Sequence, residues 1–293
     1  MVRTPARAWT MLALGVAAQA AGTLVVTAPA LLIPHLHAQG MPLAQAGFLA
    51  AAPTAGMVLT LIAWGAVTDR VGERVVIAGG LVLTTVAVIG AWLADDRLLA
   101  LGIAFLAAGM TSASTNAASG RVVVGWFPKE RRGLAMGIRQ MSQPLGVTLA
   151  AVTVPQLAET SGIRAALVLP VVLCAVLAVL CAVGIVDPPR PARSEVAAPA
   201  EANPYRSTGF LWRIHAVSVL LVVPQFTLST YGLVWLVSLG WSTAAAGLLV
   251  GGSQFVGAVG RILVGVWSDR VGSRVGPLRV VAVSAAARCV AST

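Results

Sequence analysis

Apolar and polar positions separate along this chain into long blocks instead of alternating residue by residue. Apolar runs occupy roughly residues 9–33, 44–67, 75–94, 98–120, 133–156, 164–186, 211–237 and 243–267, and a ninth begins near Pro277. Each of the eight is close to the ~20 residues a helix needs to cross a bilayer. They are too long for core strands, and the segments between them are short or charged. The pattern predicts an all-α membrane protein with eight spans and the start of a ninth.

One polar loop occurs twice. Gly65-Ala66-Val67-Thr68-Asp69-Arg70-Val71-Gly72-Glu73-Arg74-Val75 returns two hundred residues later as Gly265-Val266-Trp267-Ser268-Asp269-Arg270-Val271-Gly272-Ser273-Arg274-Val275, with seven of eleven positions identical. The register holds upstream, pairing Ala46, Gly47, Leu49 and Ile62 with Ala246, Gly247, Leu249 and Ile262. That period is too long for a solenoid and indicates two homologous halves. The repeat resembles the signature loop of the major facilitator superfamily, Gly-x-x-x-Asp-Arg-x-Gly-x-Arg between spans two and three, with its echo between spans eight and nine.

The resemblance covers essentially the whole chain and implies a twelve-helix bundle, of which eight to nine helices are present. Residues 1–186 then form a six-helix half, 187–209 a cytoplasmic linker, and 210–293 an incomplete second half. Five prolines (188, 189, 191, 199 and 204) stiffen the linker. The period places the end of the counterpart of span six near residue 386, so the ending at Thr293 reads as a truncated or frame-disrupted product, or a fragment.

Composition agrees with a lipid solvent: 58% of residues are hydrophobic and 10% charged, against about a quarter charged in soluble domains. The net charge of +10 does not point to nucleic acid, because the basic residues are scattered singly between apolar runs. Topology explains them. With the N-terminus in the cytoplasm, the inner segments hold Arg3, Arg7, Arg70, Arg74, Arg121, Lys129, Arg131, Arg132, Arg190, Arg193, Arg206, Arg213, Arg270, Arg274 and Arg279, and the outer loops hold Arg97 and Arg164. Fifteen against two is a strong positive-inside bias. It places the protein in a bacterial cytoplasmic membrane with both copies of the repeat facing the cytoplasm.

The candidate chemistry is sparse. No catalytic set points to an enzyme, no glycine-rich phosphate loop points to ATP, and no cofactor is implied. His35 and His37 are too few for a closed metal site. The spans contain arginines but no embedded Asp or Glu, and an intramembrane charge is a functional candidate. Arg139 lies six residues past Gly133, with Gln143 one turn on, and Arg261 lies six residues before Trp267. The family arrangement puts spans five and eight face to face, so both arginines could line one cavity and hold an anion. The competing reading has each arginine snorkelling to the surface or bonding a carbonyl at a helix break near Pro144.

Spans one, four and seven line the cavity in the family. Here they offer Gln19, Asn116, Gln225 and Tyr231 as further substrate contacts, beside serines and threonines that also serve as helix–helix glue. The repeated loops, Gly65, Asp69, Arg70, Gly72 and Arg74 with Gly265, Asp269, Arg270, Gly272 and Arg274, form by resemblance a conformational latch between halves. Asp69 is placed to cap a helix or pair with Arg70, Arg74 or Arg121, and its family partner, span eleven, is absent here. Gly137-Ile138-Arg139-Gln140 followed by Pro144-Leu145-Gly146 resembles cyanate and organic-anion permeases rather than drug–proton antiporters. The expected function is secondary transport of a small solute, an anion favoured, by alternating access with a coupling proton or ion. An inactive remnant, or a carrier of neutral or cationic compounds with structural arginines, is the alternative.

Overall fold

The computed structural model describes residues 6–94, 97–187, 209–272, 276 and 280, and among these no strand occurs. The helices are α1 (Ala6–Leu31), α2 (Ile33–Ala38), α3 (Leu43–Val71), α4 (Glu73–Ala94), α5 (Leu98–Trp126), α6 (Arg132–Gln140), α7 (Ser142–Gly184), α8 (Phe210–Ser238) and α9 (Thr243–Val271), with a 3-10 turn at Lys129–Arg131. Most of the linker and nearly all of the ninth apolar run lie outside the described residues.

Among the described residues, six helical segments are long and apolar enough to cross a membrane. One of them, Arg132–Gly184, has 53 residues. At 1.5 Å per residue it would measure about 80 Å, against a hydrocarbon core of about 30 Å. Gly162, at φ 81° and ψ 175°, breaks the helix there, so this segment makes two crossings. Such a backbone conformation favours glycine. Together with the 29-residue α8, the crossings match the eight apolar runs. The all-α membrane bundle expected from the pattern is the fold observed.

In both copies of the repeated loop a glycine with positive φ ends the preceding helix. Gly72 ends α3 at φ 100° and Gly272 ends α9 at φ 64°, a backbone that costs glycine little at a helix end.

Lipid tails are as apolar as leucine, so the helices are held by close packing and satisfied polar groups. A Cβ on Gly56 of α3 would overlap the α5 backbone at Leu106, and one on Gly109 would overlap Pro53. With the backbones in contact, Thr60 Oγ1 and Trp64 Nε1 both donate to the Met110 carbonyl at 2.7 Å. The outer face of α3 carries Phe48 and Ile62, 79% and 87% exposed among the described residues. The last two helices meet the earlier ones along two lines. Helix α9 packs on α6 and α7, and α8 meets α1 and α2 where Leu233 and Leu236 are buried.

Candidate functional site

A cavity of about 380 Å³ lies among α1, α3, α5, α6 and the start of α7. Its polar wall is built from helical spacing. On α1, Gln19, Thr23 and Thr27 stand at i+4 steps and face it together, as do Ser112, Thr115 and Asn116 on α5. Arg139 and Gln143, also four apart, enter from α6 and α7, with Gln140 between them. Met57 and Val147 are among the apolar contributors.

These side chains form one network. Arg139 Nε donates to Ser119 Oγ at 2.9 Å. Its Nη2 donates to the Asn116 carbonyl at 3.0 Å and to Asn116 Oδ1 at 3.2 Å, and its Nη1 to Gln140 Oε1 at 3.3 Å. Ser119 Oγ donates in turn to Gln19 Oε1 at 3.0 Å, and Gln19 Nε2 to Asn116 Oδ1 at 3.3 Å. Every acceptor around the guanidinium is neutral, and among the described residues no carboxylate pairs with it. Gly120 lies alongside it, and a Cβ there would make ordinary contact with Arg139 Cζ at 3.7 Å.

The other candidates fall elsewhere. Arg261 is not in the cavity wall; its Nη1 donates to the Gln140 carbonyl at 2.8 Å and lies 3.5 Å from Gln143 Oε1. Tyr231 is partly exposed, its hydroxyl 3.2 Å from where a Cβ on Gly47 would stand, so it sits between α3 and α8, outside the cavity. The side chain of Gln225, and Arg274 as a whole, lie outside the described residues. The role of Gln140 escaped the sequence reading, although its position beside Arg139 and four residues before Pro144 was a usable signal.

At one end of the bundle the repeated loops make different contacts. Asp69 forms an ion pair with Arg121 of α5, one of the pairings the sequence allows. Asp269 accepts from the backbone N–H of Gly133 at 3.0 Å and of Leu134 at 2.7 Å. These belong to the first turn of α6, whose own N-cap residue, Arg131, makes no side-chain cap bond. An anion at a helix start satisfies orphan donors and complements the helix dipole. Asp269 therefore ties α9 to α6. Arg74 is tied to the end of α7 and the residues after it, its backbone N–H donating to Asp187 Oδ1 at 2.7 Å and its Nε to the Ala182 carbonyl at 2.6 Å.

The sequence profile of the Major Facilitator Superfamily matches residues 10–292. The chain belongs to this superfamily. Two curated relatives, both described as uncharacterised MFS-type transporters from strains of Mycobacterium tuberculosis, are 47% identical over 281 residues, or 95% of this chain. The chain spans 63% of their length. A protein of Arabidopsis thaliana named as a probable chloroplastic anion transporter is 29% identical over 154 residues, 52% of this chain and 28% of that one. Among solved structures, a bacterial homologue of the human lysosomal transporter Spinster, inward-facing and unoccupied, superimposes with a TM-score of 0.69 at 16% identity. The match covers 92% of this chain and 64% of that one. A D-xylose–proton symporter gives 0.62 at 14% identity, covering 89% of this chain and 69% of its own. These likenesses agree with the helical fold described above, in which α6 and α9 pack along a seam.

Proposed function

We propose that this superfamily member is a secondary transporter of a small organic anion, and that Arg139 is the cation that holds it. The observation that carries the reading is a guanidinium in an intramembrane cavity with only neutral acceptors around it. A charge held away from water is costly unless paired. A carboxylate would complete the site by taking the Nη1 donor left over and displacing Gln140 Oε1, the longest of the four contacts. Gln19, Asn116 and Gln143 supply the remaining polar wall, and about 380 Å³ suits a molecule of benzoate size. The family of the relatives and the anion-transporter name of the distant plant protein are consistent with this.

In this reading residues 1–186 and 210–293 are parts of two halves joined by the segment 187–209. They rock in alternating access, with a coupling ion or proton, in a bacterial cytoplasmic membrane. The positive-inside bias supports a cytoplasmic N-terminus and a cytoplasmic Asp269 seam. Opening and closing then makes and breaks the seam.

The test is binding and uptake of labelled benzoate and acetate by the purified protein in liposomes. Arg139→Gln removes two charge-assisted bonds to the anion and should weaken binding about 100-fold, while membrane insertion is kept and Arg139→Lys retains part of the affinity. Solute binding that carboxylates do not compete with, or that survives Arg139→Gln, would refute the proposal.

A further inference from the structure

Pro144 is the third residue of α7 and has no N–H, so the Gln140 carbonyl four residues back loses its helical donor. The ladder resumes at once, with Leu145 N donating to the Met141 carbonyl at 2.9 Å. The neighbouring Arg139 carbonyl receives the Ser142 hydroxyl at 2.7 Å. The Gln140 carbonyl is served from across the seam, by Arg261 Nη1 of α9 at 2.8 Å. Arg261 reaches it because α6 and α9 touch at Gly137, where a Cβ would stand 2.9 Å from the Arg261 carbonyl.

Gln140 thus faces two arginines with different groups. Its main-chain oxygen accepts from Arg261, and its side-chain Oε1 accepts from Arg139 Nη1 at 3.3 Å. We infer that Arg261 is a positioning residue. By capping the carbonyl that Pro144 leaves open, it fixes Gln140 and, through Gln140, the orientation of the Arg139 guanidinium. The geometry of the cavity then depends on α9 lying against α6 and α7. When the seam opens, the carbonyl loses its donor and Gln140 turns, so the site's grip on its occupant changes with the arrangement of the halves. The cap stands on geometry alone, and its effect on binding rests on the anion reading of Arg139.

A double-mutant cycle on the full chain separates the two. Arg261→Met leaves the carbonyl uncapped, whereas Pro144→Ala returns an N–H that caps it from within the helix. Arg261→Met alone should lower Tm by about 3–6 °C and weaken benzoate binding about tenfold. In the Pro144→Ala background the Tm loss should fall to less than half, and benzoate affinity should return to within about twofold, the coupling expected of groups sharing one partner. Equal losses in both backgrounds would overturn the cap. Rescue of Tm without rescue of benzoate affinity would overturn the positioning role. Absence of benzoate binding in the unmutated protein would sink the anion reading by itself, and the Tm cycle would still decide the cap.

Discussion

The cross-seam contact of Asp269 offers the sharpest perturbation. Its carboxylate accepts two backbone N–H bonds, at 3.0 Å from Gly133 and 2.7 Å from Leu134. A bond to a charged group contributes roughly 1.5–3 kcal/mol net, and the partial exposure of this site reduces each to about 1 kcal/mol. Two such bonds with the dipole term give about 2–3 kcal/mol lost in Asp269→Ala. Asp269→Asn keeps one carbonyl acceptor and so one neutral bond, worth about 1 kcal/mol, leaving a loss of about 1–2 kcal/mol. At 1.4 kcal/mol per tenfold, alanine should shift the closed-to-open ratio of the seam about 30- to 100-fold and asparagine about 5- to 30-fold. Spin labels at Glu130→Cys and Val271→Cys, in a background with Cys174, Cys181 and Cys289 replaced by alanine, would report that ratio as a distance distribution. Gly133→Ala should reproduce the alanine result without adding to it, because its Cβ would occupy the place of the Asp269 carboxylate. Identical distributions for Asp269, Asn and Ala would refute the claim that this carboxylate holds the seam.

Two further predictions follow from the same contacts. Arg121→Gln breaks the Asp69 ion pair, but the side chains are 38% and 62% exposed; an exposed pair contributes under about 1 kcal/mol. Tm should fall by less than about 3 °C, and a larger fall would contradict the exposed-pair account. Ser119→Ala removes the acceptor of Arg139 Nε and the donor to Gln19, freeing the guanidinium to turn. Benzoate binding should weaken about five- to tenfold with little change in Tm, and unchanged affinity would show that this serine does not hold Arg139 in place.

What the sequence could and could not reveal follows from the reach of each interaction. Span lengths were legible because lipid imposes a continuous apolar run on every crossing helix. The cavity wall was legible because Gln19, Thr23 and Thr27, like Arg139 and Gln143, are spaced by one helical turn. Where α3 and α9 end follows from local sequence too, since Gly72 and Gly272 both take a positive φ. Their aspartates diverge because the partner is whatever helix lies opposite. Asp69 finds Arg121 of α5, and Asp269 finds the bare start of α6. Arg261 shows the limit most clearly. Its polarity and depth match those of Arg139, so the sequence left a shared cavity and a carbonyl at the break near Pro144 as alternatives, and its main acceptor is that backbone oxygen, which no residue type encodes. Only Pro144 marks that oxygen as open. A proline in a membrane helix therefore belongs with the polar residues in any search for arginine partners, since it creates an acceptor four positions back.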